Sequence, residues 1–120
     1  MDFDQAILAH SAWKRKLRLY LSKADHSLTV ADVAADDRCQ LGEWIAGEGR
    51  KYSGLPDFAN LSTQHTRFHK AAADILNKAG RGQEVSDELV PGSNSEFSKA
   101  SASIVRAIIE MKKKLSVAGE

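Results

Sequence analysis

The chain has one cysteine, two prolines and no long apolar run, and its charges nearly cancel. A single cysteine excludes an intramolecular disulfide and suits a reducing compartment. No stretch approaches the ~18 continuous apolar residues that a membrane span needs. The start, Met1-Asp2-Phe3-Asp4, is acidic and has no apolar core, so it does not read as a secretory signal. With 17 basic against 16 acidic residues, the chain lacks the basic footprint of a nucleic-acid binder. Phosphate loops and dinucleotide fingerprints are absent as well. What is present is ordinary for a soluble globular protein: 120 residues, 42% hydrophobic and 28% charged. That is enough for one core without staples. The expectation is one cytoplasmic domain over residues 1–120, with its core at about 3–115, and no enzyme activity.

Hydrophobic periodicity predicts an all-α fold. The first helix is expected from about Asp4 to Ser22, with Phe3, Ile7, His10, Trp13, Leu17 and Leu21 on one stripe. Its acidic start and the basic Lys14, Arg15, Lys16 and Arg18 suit the helix dipole. Residues 23–27 form a polar break, and Leu28 to Ala35 read as a connector. A short second helix is expected over about Asp37 to Gly47, capped by Asp36 or Asp37 and stopped in Gly47-Glu48-Gly49. The third runs from about Pro56, a first-turn residue, to Lys78 before Gly80-Arg81-Gly82. Its buried stripe is Phe58, Leu61, His65, Phe68/His69, Ala72, Ile75 and Leu76. After a polar loop with one turn at Ser86 to Leu89, the last helix spans about Asn94 to Ser116. There Phe97, Ser101, Ile104, Ile108, Met111 and Leu115 alternate spacings of four and three. Amphipathic helices joined by polar turns predict an antiparallel four-helix bundle with ligands projecting into its core.

The residues that carry chemistry are few. His65 and His69 stand one turn apart, so both imidazoles project from one helix face. His10 lies on the inward stripe of the first helix, and the only cysteine, Cys39, near the start of the second. Taken alone, each is unremarkable: a histidine on an apolar face is commonly a core residue, and a lone cysteine commonly a small buried hydrophobe. Together they make a candidate set of three imidazoles and one thiolate, the donor chemistry of tetrahedral zinc rather than of oxygen-seeking calcium or magnesium. Cys39 near a helix start would be helped toward thiolate by the dipole. Trp13 and Trp44 are either water-excluding plates near the ligands or plain core residues. His26, in the polar break beside Asp25, reads as exposed.

Other chemistries fail on particular residues. The His65–His69 spacing resembles that of zinc proteases, but Thr66 stands where the general-base glutamate belongs. A Cys–His hydrolase would need one dyad, whereas three histidines share Cys39's side of the fold. The stripes carry no Glu-x-x-His for a di-iron bundle. Lys112-Lys113-Lys114 closes a helix and reads as a solvated end.

Three pieces of the sequence resemble a known family, the chemoreceptor zinc-binding (CZB) domain. They are His10-Ser11-Ala12-Trp13-Lys14, Cys39-Gln40-Leu41-Gly42-Glu43-Trp44 and His65-Thr66-Arg67-Phe68-His69. The resemblance covers roughly residues 3–115, and the Cys-x-Leu-Gly-x-Trp piece is its most specific part. It implies a four-helix bundle binding one zinc ion per chain through His10, Cys39, His65 and His69. It also implies a cytoplasmic, regulatory role beside a chemoreceptor signalling region or a diguanylate cyclase. Such a domain would respond to zinc or to oxidants such as hypochlorous acid through the zinc-bound cysteine. No output domain accompanies it here, and Met1 with a self-contained bundle favours a free-standing member. A homodimer is expected as one mode of assembly. The competing expectation is a zinc-stabilised interaction module with no sensing role. Asp25, Asp36 and Asp57 are candidate hydrogen-bond partners of the ligand imidazoles.

Overall fold

The computed structural model describes residues 2–21, 39–89 and 93–117. Among them every regular element is helical: α1 (Phe3–Ser11), α2 (Trp13–Leu21), α3 (Gln40–Ala46), α4 (Pro56–Gly80) and α5 (Glu96–Val117). Short 3-10 turns cover Glu48–Tyr52 and Ser86–Leu89. The all-α class and the short second helix of the sequence reading are therefore present.

The expected first helix is interrupted at Ala12, the one residue between α1 and α2. Ala12 keeps right-handed helical angles, its N–H donates to the Leu8 carbonyl, and its carbonyl accepts from the Lys16 N–H. The axis therefore continues through the break. Asp2 caps α1 by accepting from the Gln5 N–H at 3.1 Å. Along this stretch Ala6, His10 and Leu17 are buried and Phe3, Ile7 and Trp13 half-buried, so one apolar stripe faces inward.

α4 begins with Pro56 in its first turn, where a missing N–H costs nothing. It ends beyond Gly80, and Gly82 takes the left-handed conformation at φ 81° that only glycine adopts freely. All eight residues of its expected stripe, from Phe58 to Leu76, are buried. α5 is capped by Ser95, whose Oγ accepts from the Ser98 N–H at 3.0 Å and donates to the Glu88 carbonyl at 2.6 Å. That second bond ties the helix start to the preceding turn. Its seam residues Phe97, Ile104, Ile108, Met111 and Leu115 are buried, each contributing about 1.5–3 kcal/mol of transfer free energy.

α4 and α5 form the most extensive helix pair, and α1 packs on α5. Lys114 near the end of α5 pairs with Asp57 at the start of α4. Arg67, further along α4, pairs with Glu96 at the start of α5. Lys112 reaches Asp4 on α1 at 2.6 Å. These pairings fit the antiparallel bundle expected from the sequence. They also place the lysine run on the surface, ion-paired to Asp4, Glu110 and Asp57.

Some expectations fall on other residues. His26, Asp25, Asp36, Asp37 and the connector from Leu28 to Ala35 lie outside the described residues, as does Leu21's side chain. Asp57 is not a partner of a ligand imidazole but of Lys114. α3 starts at Gln40 and its cap is Cys39, not Asp36 or Asp37.

Candidate metal centre

Two helices, α1 and α4, and the cap residue of α3 bring the four candidate ligands together. The Nε2 or Nδ1 and Sγ atoms of His10, Cys39, His65 and His69 all lie within 4.8 Å of one another. The three imidazoles are each only 2% exposed, while Cys39 is half-buried. The sequence-predicted set is thus assembled whole.

Each side chain is aimed by its local structure. On α4, the four-residue spacing puts His65 and His69 Nε2 atoms 3.1 Å apart. On α1, His10 Nδ1 lies 2.8 Å from the Ala6 carbonyl oxygen one turn back. A carbonyl only accepts, so Nδ1 carries the proton and the lone pair sits on Nε2. Cys39 has extended backbone angles, and its Sγ accepts from the Gly42 N–H at 3.3 Å. A thiolate is favoured there by the amide and by the helix start. Gly42 itself is buried beneath this turn.

The spacings suit one ion. Zinc bonds of about 2.0–2.1 Å to nitrogen and 2.3 Å to sulfur imply tetrahedral edges of about 3.3 Å between nitrogens and about 3.6 Å between sulfur and nitrogen. The observed Cys39 Sγ distances are 3.1 Å to His65 Nε2 and 3.8 Å to His69 Nε2. His10 Nε2 supplies an independent test. It is buried and has no hydrogen-bond partner among the described residues. A buried acceptor left unpaired costs free energy, and a cation at the centre of the quartet removes that cost. The donors present therefore fit zinc.

Burial holds the His10 pKa below the usual imidazole value, with His69 and Lys16 adding to the effect against the hydrogen bond that His10 donates to the Ala6 carbonyl. Neutral imidazole is the form that binds metal, so the environment selects the ligating state.

The walls are aromatic. His10 meets the rings of His65, Phe68 and His69 edge-on at 5.1, 5.3 and 5.8 Å. Trp13 stands against His69 at 5.9 Å and Phe68 at 6.4 Å, shielding that side from water. Trp44 does something else: it packs on Phe3, Tyr52 and Phe58. It anchors α3 and the following turn rather than covering a ligand ring. The partner missed by the sequence reading is the Ala6 carbonyl. Its signal was the i−4 position relative to His10 on a helix, where an imidazole Nδ1 reaches the backbone.

A cleft borders the centre at His65. It measures about 220 Å³ and is lined by Gly42, Ile45, Ala46, Arg50, Phe58, Ser62, His65 and Thr66. No helix among the described residues is long and apolar enough to cross a membrane.

No curated protein and no solved structure matches the chain significantly. A family model does: that of the chemoreceptor zinc-binding domain, over residues 10–76. This span, more than half the chain, runs from the first ligand on α1 past the last on α4. The chain therefore belongs to the chemoreceptor zinc-binding domain family, a regulatory family, and zinc is the metal its assembled quartet is positioned to hold.

Proposed function

We propose that this protein is a cytoplasmic regulatory domain that binds one zinc ion through His10, Cys39, His65 and His69 and responds to zinc or to oxidants through Cys39. The observation that carries the reading is the buried, unpartnered His10 Nε2 facing a sulfur and two imidazoles on other elements. Four protein ligands leave no open position for a substrate, which favours a structural or sensory ion over a catalytic one. When bound, zinc would hold the thiol as thiolate and add its binding free energy to that of folding.

The chain's own residues supply the switch. His65 and His69 sit on the 25-residue α4 and His10 is buried on α1, which packs on α5, whereas Cys39 only caps a seven-residue helix. Cys39 is also the only ligand that is half-buried rather than buried. Attack of its thiolate on hypochlorous acid forms an S–O bond and breaks the O–Cl bond, giving sulfenic acid and chloride. The sulfur loses two electrons and much of its donor strength. Cys39 then no longer holds the start of α3 to the two histidines of α4, and residues 39–47 loosen from the bundle. A chemoreceptor signalling region or a diguanylate cyclase, on this polypeptide or another, would read that change, and pairing of two copies would transmit it.

The test is zinc release followed with a metal-responsive dye on adding one equivalent of hypochlorous acid. Release from the wild type, with loss of helicity over α3 by hydrogen exchange, is the expected result. An ion retained through Cys39 oxidation would leave an interaction module that zinc merely stabilises.

A further inference from the structure

The reversibility of such a switch raises a chemical problem. These 120 residues carry a single cysteine, so an oxidised Cys39 has no resolving thiol within this domain. The reductant must come from outside and must reach a sulfur set against buried imidazoles. The cleft beside α3 provides the approach. Two of its lining residues, His65 and Gly42, are themselves in contact with Cys39 Sγ, at 3.1 Å through Nε2 and 3.3 Å through the backbone amide. Gly42 has no side chain to close the wall.

The lining also says what kind of molecule fits. Arg50 is exposed and makes no ion pair with the described residues, and none of the described lining residues bears a carboxylate. Ser62 and Thr66 add hydroxyls, while Ile45, Ala46 and Phe58 form an apolar side. A volume of about 220 Å³ is below the ~300–1,000 Å³ of drug-sized ligand sites. It admits a small molecule or one end of a short peptide, not a folded protein.

We infer that the Arg50 cleft is a docking site for a carboxylate-bearing low-molecular-weight thiol that regenerates oxidised Cys39, an inference that rests on the proposed redox role of that residue. The thiol's carboxylate pairs with Arg50 while its sulfur approaches over Gly42. Its sulfur bonds to the sulfenic sulfur, the S–O bond breaks, and hydroxide leaves with the thiol proton as water. A second thiolate attacks the mixed disulfide, releasing Cys39 as thiolate and the small thiol as its own disulfide.

The test uses zinc-loaded protein oxidised with one equivalent of hypochlorous acid at low ionic strength. Mixed-disulfide formation is then followed by intact-mass spectrometry with anionic glutathione and with cationic cysteamine. Unit charges held about 7 Å apart in water change a rate about threefold. Reversing the sign of the thiol therefore makes the glutathione-to-cysteamine rate ratio about five- to tenfold sensitive to Arg50. Arg50→Gln is expected to lower the ratio by that factor and Arg50→Glu to lower it further. Ala46→Phe, which fills an exposed wall of the cleft, should slow both thiols. An unchanged ratio in Arg50→Gln and Arg50→Glu would overturn the inference, as would unchanged rates in Ala46→Phe. Zinc content, measured before oxidation, keeps the two readings apart. Absence of zinc from the wild type defeats the metal assignment, whereas normal zinc with unaltered thiol selectivity defeats only the cleft.

Discussion

Replacing His10 by phenylalanine should move the stability of the zinc-free and zinc-loaded protein in opposite directions. His10 is 2% exposed and its Nε2 has no protein partner among the described residues. An unpaired buried polar atom costs about 1–3 kcal/mol. Phenylalanine removes that cost and keeps the edge-on contact with Phe68, now at 5.3 Å. It forfeits the Nδ1 hydrogen bond to Ala6, about 1 kcal/mol. The net gain is about 1 kcal/mol, or a rise of about 3–6 °C in Tm for a chain of this size. In zinc the sign reverses. Structural zinc sites contribute about 10–16 kcal/mol, so one ligand of four carries about 3 kcal/mol, roughly a hundredfold in affinity. Calorimetric melts with chelator and with excess zinc, together with competition titration against a zinc dye, read both arms. A zinc-free variant less stable than wild type, or a zinc affinity within threefold of wild type, would refute the reasoning.

Other perturbations test separate parts of the account. Because burial lowers the folded-state pKa of His10 below its unfolded value of about 6.5, the unfolded chain takes up that proton first. The stability it contributes is thus complete above about pH 6.5 and lost as pH falls through the folded-state value. Urea midpoints of zinc-free protein should drop between pH 8 and pH 5.5, and drop less in His10→Phe. At Gly49 an added Cβ would meet the Trp44 carbonyl oxygen at 2.7 Å and its ring carbons at 2.8 and 2.9 Å. Gly49→Ala should therefore cost about 1–3 kcal/mol by overpacking, read as a lower denaturation midpoint. Ser95→Ala removes the cap of α5 and its bond to the Glu88 carbonyl; a loss of about 0.5–2 kcal/mol is expected in the same assay.

Much of this structure was legible in one sequence because its signals are local and repeated. α4 is the clearest case: a proline at the first turn, seven turns of consistent inward spacing and a glycine-rich stop agree with one another. The same periodicity put His10, His65 and His69 on inward faces, and the resemblance of the Cys39-to-Trp44 piece to a known family completed the ligand set. What stayed hidden depends on atoms that periodicity does not describe. The start of α3 was assigned to an aspartate because oxygen side chains are the usual caps, yet a sulfur takes that place at Cys39. The hydrogen bond that orients His10 is donated to the Ala6 backbone carbonyl rather than to a carboxylate. Trp44 was open between a plate near the ligands and a core residue, and its ring packs on Phe3, Tyr52 and Phe58, the core alternative.

X-ray absorption at the zinc edge of the purified protein tests the coordination most directly. The account predicts one zinc per chain with one sulfur at about 2.3 Å and three imidazole nitrogens at about 2.0–2.1 Å, the sulfur shell vanishing in Cys39→Ala. A wild-type spectrum with no sulfur in the first shell, or one unchanged by Cys39→Ala, would contradict it.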